Sequence, residues 1–148
     1  AEPEMIQRMA RITTDSHEKS IPVLGMFYPR GGNLILDDSD STSGVAHAAR
    51  LAWELGCNVV KVPWTGSEES FEIVTSSVPI PVLVSGGPKD DDFCKILELV
   101  EKSINAGGSG VCMGRNVFSS EDPASRIRAL RAIVHDGVNG EEASRHLR

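Results

Sequence analysis

Four short runs of apolar residues punctuate this chain of 148 residues, at 21–27, 58–62, 81–85 and 110–113, and none alternates polar with apolar. A strand that is apolar at successive positions is expected to be buried on both faces, as in a parallel sheet covered by helices. Between the runs the spacing turns helical. Met5, Ile6, Met9 and Ile12 mark a helix over residues 3–19. Val45, Ala48, Ala49, Ala52 and Leu55 mark a second, with Gly56 where a C-terminal glycine belongs. Residues 68–76 form a short third helix. Phe93, Ile96, Leu97, Val100 and Ile104 define a fourth, closed by Gly107. Asp122 followed by Pro123 reads as an N-cap and first helical residue, opening a helix through Ile127, Leu130 and Ile133. Residues 141–147 add a turn or two. The expectation is α/β: four βα units behind a leading helix, in a single domain over residues 1–148. A small open sheet and half of an eight-stranded barrel both fit that repeat.

Composition narrows the partners. Acidic residues outnumber basic ones, 21 to 15, giving a formal charge of −6. Such a surface repels a phosphate backbone, so nucleic acid is not an expected partner. A small anion held by local amides is not excluded. No stretch approaches the roughly 20 apolar residues of a membrane span, and no secretory signal is visible. The first residue is Ala1 rather than Met, so the chain is read as a fragment or a processed product. Cys57, Cys94 and Cys112 are far apart and odd in number, and read as small buried hydrophobes in a reducing, cytoplasmic setting. His17, His47, His135 and His146 share no metal-ligand spacing, so no metal is expected. Asp37, Asp38 and Asp40, and the run Asp90-Asp91-Asp92, read as solvated loop and helix-start carboxylates.

Three features carry chemistry. Lys61 interrupts the apolar run Val59-Val60-Lys61-Val62. A lysine on an edge strand can snorkel to water. In a central strand an ammonium is costly to bury, and a desolvated neutral amine is a nucleophile suited to a carbonyl. Glycine turns supply the second feature: Ser85-Gly86-Gly87 ends the third run and Gly114-Arg115-Asn116 ends the fourth. Glycines after adjacent parallel strands let backbone amides approach an anion closely, and Arg115 can add a charge-assisted bond. The third is Tyr28, the single tyrosine, at the end of the first run, where a phenol can exchange a proton beside an imine.

Taken in order, Tyr28-Pro29-Arg30-Gly31, Val59-Val60-Lys61, Thr65-Gly66, Ser85-Gly86-Gly87-Pro88-Lys89 and Gly114-Arg115-Asn116-Val117-Phe118 resemble one family across nearly the whole chain. It is the archaeal-type class I fructose-bisphosphate aldolase family. That family includes 2-amino-3,7-dideoxy-D-threo-hept-6-ulosonate synthase and a thiolase that degrades a phosphorylated autoinducer. The resemblance implies strands five to eight of a parallel (β/α)8 barrel, with strands one to four and their acidic residue lying outside these residues. It implies that Lys61 is the Schiff-base lysine and Tyr28 the proton donor and acceptor. Ser85, Gly86, Gly87, Gly114 and Arg115 match the phosphate loops, and Arg30 and Trp64 are further substrate contacts. Trp64 stands where relatives commonly carry tyrosine. Residues 132–137, with Glu141-Glu142-Ala143 after them, look closer to the synthase branch.

The implied reaction is aldol cleavage or transfer on a phosphorylated ketose without metal or cofactor, because the iminium does the work of a Lewis acid. The implied partners are a phosphorylated sugar and either a homo-oligomer or a missing N-terminal half. Other readings are an inactive phosphate-binding half-barrel whose open strand edges invite association, the thiolase branch, or an isomerase in which Lys61 acts only by charge.

Overall fold

A computed structural model describes residues 2–30 and 40–147. The expected loop after Tyr28-Pro29-Arg30, including Gly31, Asp37 and Asp38, lies outside the described residues. Helix α1 (Glu2–His17) leads into strand β1 (Leu24–Met26), then α2 (Thr42–Glu54), β2 (Val59–Val62), α3 (Glu68–Ser76), β3 (Val82–Ser85), α4 (Phe93–Asn105) and β4 (Gly110–Cys112). Four-residue α5 (Arg115–Phe118), α6 (Pro123–Asp136), α7 (Gly140–Ala143) and a 3-10 turn (Ser144–Leu147) complete the chain. The strands form one parallel sheet in the order β1-β2-β3-β4.

Local chemistry sets the helix limits. Asp122 Oδ1 accepts the Ser125 amide at 3.0 Å and Pro123 occupies the first turn of α6, as the sequence predicts. Ser67 and Ser70 cap α3 reciprocally. Gly137 closes α6 at φ 70°, a left-handed conformation that costs an L-residue strain.

One expectation fails in an instructive way. The strands are buried on one face, not two. Val60, Val62, Val82 and Val84 point to the face covered by helices, where they join Val45, Ala49, Ala52, Phe71 and Val74 in a core with essentially no exposure. The opposite face carries Leu24, Met26, Val59, Lys61, Leu83 and Cys112, all partly exposed, with Met26 at 64%. Both faces are apolar in sequence, yet the described residues place helices on one only. That is the architecture of half a barrel, whose inner face is closed by other strands. Helix α1 tells the same story: Thr13 is its one buried residue, bonding the Leu55 carbonyl at 2.6 Å, while Met5 and Ile12 of the predicted apolar stripe are exposed. On α6, Ile127 likewise lies outside the core that Leu130 and Ile133 join.

The cysteines also divide. Cys57 alone is fully buried, and desolvation pushes its thiol above the usual range; Cys94 is exposed and Cys112 half-buried. No helix among the described residues is long and apolar enough to cross a membrane.

Candidate active site

Strand register decides what can meet. Lys61 on β2 is aligned with Met26 on β1 and Leu83 on β3. Ser85, two residues beyond Leu83, is aligned with Cys112 on β4. Since side chains alternate along a strand, Lys61, Leu83, Ser85 and Cys112 project from the same uncovered face. The flanking valines, Val60 and Val62, project the other way into the core. Lys61 thus sits where it interrupts the apolar run without entering the helix-covered core.

At the carboxyl ends of the strands this face opens into a cavity of about 390 Å³. Tyr28, Arg30, Lys61, Ser85, Gly86, Gly87, Gly114 and Arg115, eight of the nine residues singled out by sequence, line it. Trp64 does not line it. Its ring instead packs on Phe71, 5.0 Å between centroids, at the edge of the core. The cavity's charged lining consists of Arg30, Lys61 and Arg115, with no carboxylate among the described residues. Three cations gathered on a chain of net charge −6 focus a positive potential where the remaining surface is acidic. The Arg30 guanidinium lies 5.7 Å from the centre of the Tyr28 ring, which holds cation and phenol at one rim.

The two glycine turns meet here. Gly86 has no room for a side chain: a Cβ there would come 2.7 Å from the Cβ of Met113. Gly87 adopts φ 63° with open space around it. Arg115 Nη2 donates to the Gly87 carbonyl at 3.4 Å, a long contact that leaves the exposed guanidinium available to a ligand.

Sequence reasoning passed over two members of the site. Cys112 reads as a buried hydrophobe, yet it faces the cavity; its alignment with Ser85 is a signal available only once the register is known. Asn116 reads only as part of a glycine turn, yet its side chain is buried and makes three hydrogen bonds. A polar residue immediately after a strand-end glycine and arginine was the available hint. Among the described residues no group of three or more His, Cys, Asp or Glu is arranged to hold a metal.

Comparison with known proteins bears on this geometry. A family model described as DeoC/LacD family aldolase matches residues 1–120. The chain is 37% identical over 140 residues to 2-amino-4,5-dihydroxy-6-oxo-7-(phosphonooxy)heptanoate synthase of Streptomyces griseus, covering 94% of this chain and 50% of that protein. It is 40% identical over 141 residues to 2-amino-3,7-dideoxy-D-threo-hept-6-ulosonate synthase 1 of Archaeoglobus fulgidus, covering 95% and 51%. Among solved structures, an archaeal fructose 1,6-bisphosphate aldolase superposes with a TM-score of 0.84 at 36% identity, covering 92% of this chain and 54% of the other. A Schiff-base-forming fructose-1,6-bisphosphate aldolase, solved with reaction intermediates, gives 0.83 at 35% identity, covering 90% and 53%. The chain spans about half the length of the relatives it matches.

Proposed function

Because the chain belongs to the DeoC/LacD aldolase family, we propose that it carries the imine-forming half of a class I aldolase or transaldolase acting on a phosphorylated ketose. The observation that supports this most directly is the cavity that gathers Lys61, Tyr28 and both glycine turns with three cations and no acid.

The steps follow from that arrangement. Gly86, Gly87, Gly114 and Arg115 hold the phosphate, so that the ketone carbon lies within reach of the Lys61 amine. Once the Lys61 ammonium has released its proton to solvent, the amine adds to the carbonyl, giving a carbinolamine, and loss of water leaves a protonated imine. A base removes the proton from the hydroxyl beyond the adjacent carbon. The C–C bond then breaks, its electron pair moving into the iminium, to give an enamine and an aldehyde. Tyr28 passes the proton between hydroxyl, enamine and solvent. Water then hydrolyses the imine and restores the amine. In the transfer version a second carbonyl compound captures the intermediate before hydrolysis.

The same reading assigns the uncovered sheet face to a second four-stranded half. Strands β1 and β4 are the sheet's edges, and Leu24, Met26 and Leu83 supply apolar contacts on its inner side. That half would come from more N-terminal barrel strands or from another copy. The uncovered face also supports a plainer reading: a phosphate-binding half-barrel that binds the anion without chemistry when alone.

Incubation with dihydroxyacetone phosphate and sodium borohydride, followed by peptide mass spectrometry, tests the proposal. A reduced adduct on Lys61 is the expected result. Phosphate binding with no adduct, even after the second half is supplied, would overturn it in favour of the binding module.

A further inference from the structure

The Asn116 side chain is 1% exposed and spends nearly all its hydrogen-bonding capacity on one neighbouring loop. Its Nδ2 donates to the Gly86 carbonyl at 2.6 Å and to the Pro88 carbonyl at 2.9 Å. Its Oδ1 accepts the Asp90 amide at 2.9 Å. Three backbone groups of residues 86–90 are thereby satisfied by one amide from the following βα turn. No other side chain type of this size presents two donors and an acceptor: aspartate lacks the donors, and leucine lacks both.

The tie is itself anchored. Arg126 donates to the Asn116 carbonyl oxygen and lies over the Phe93 ring at 4.5 Å, joining the turn to the core beneath α4 and α6. Gly86 brings the loop close enough for these bonds, since a Cβ there would stand 3.3 Å from Asn116 Nδ2 as well as against Met113. On the outer side, the longer Arg115 contact to Gly87 is the corresponding link.

We propose that Asn116 is the positioning residue of the phosphate site, holding the Gly86-Gly87 turn so that its amides face an anion. The inference rests on the phosphate-site reading given above but not on imine formation. Glycines permit many conformations, and an untethered pair loses entropy when a ligand fixes it. Asn116 removes that freedom before the ligand arrives. Its loss therefore weakens recognition of phosphate more than reaction of the ketone.

The full chain, with its second half where required, is titrated with inorganic phosphate and trapped with borohydride using dihydroxyacetone phosphate or dihydroxyacetone. In Asn116→Asp or Asn116→Ser the half-saturating phosphate concentration is expected to rise about tenfold, as for a lost buried hydrogen bond. Preference for the phosphorylated ketone falls in step. Loss of both ketones in equal proportion, with preference intact, overturns the assignment. If neither variant folds, hydrogen exchange in the unaltered protein decides. A protected Asp90 amide, with Gly86 and Gly87 slowed further by phosphate, supports the tie, and an unprotected Asp90 amide overturns it. Absence of any adduct in the unaltered chain defeats the imine proposal alone, because the phosphate titration still judges Asn116.

Discussion

Met26 and Lys61 are aligned across β1 and β2, and both project from the face of the sheet that no helix among the described residues covers. Val60, one residue away, faces the core with no exposure. Met26 and Val60, on neighbouring strands but facing opposite sides of the sheet, therefore carry different stability consequences. In this chain without a second half, Met26→Ala is expected to change unfolding free energy by less than about 0.5 kcal/mol, as for an exposed site. Val60→Ala should cost about 2 kcal/mol from lost burial and the cavity left behind. Urea midpoints of the two variants measured side by side check the contrast.

The chemistry is expected to separate by residue. Lys61→Arg keeps a cation on the strand but forms no imine, so borohydride should trap nothing. Tyr28→Phe should still give the reduced adduct while turnover falls by about a hundredfold or more, the usual share of a proton-transfer group. Mass spectrometry and a cleavage assay on the same samples distinguish the two.

Arg115 reaches the cavity from an exposed position and is only loosely held by Gly87. Arg115→Ala should weaken phosphate binding by about tenfold to a hundredfold, the range for a charge-assisted bond. The deficit should narrow as salt rises, because an exposed cation is screened. Phosphate titrations at two ionic strengths provide the measurement.

Gly137 ends α6 at φ 70° with no atom near enough to meet a Cβ. The penalty of Gly137→Ala is therefore one of backbone conformation alone, about 1–2 kcal/mol. Thermal unfolding should register it with no change in phosphate affinity.

Asp122 titrates below the ordinary carboxylate range, chiefly because the Ser125 amide donates to it. Folding lowers this group's pKa. Its stabilising effect is thus complete above the unfolded-chain value, near 3.8, and disappears as pH falls through the lower folded value. Asp122→Ala should melt lower than the unaltered chain at pH 7, and the gap should narrow as pH falls below 3.8. Melting curves across that range test the sign.

The elements were legible because their signals are local. Asp122-Pro123, Gly107 and Gly56 mark helix ends by backbone chemistry that needs no tertiary context. The pairing of Lys61 with the glycine turns was legible because all three stand at the same ends of successive strands. What the sequence concealed depends on what covers a surface. Met26 and Val60 are both apolar, and no local rule states which one has a helix against it. Trp64 stands at a strand mouth like the site residues, but a ring of its size finds Phe71 rather than the cavity. Asn116 is one polar letter in a glycine-rich stretch, and its three bonds to residues 86–90 span 26 to 30 positions of chain.

The two-sided character of the sheet bears on how such a protein can change over generations. Residues that hold the fold together and residues on the cavity side alternate along the same strands, facing opposite ways. A substitution at Cys112 alters the lining of the cavity while leaving Val82 and Val84 in their helical bed. The lining of that cavity can therefore change by single replacements without passing through an unfolded ancestor.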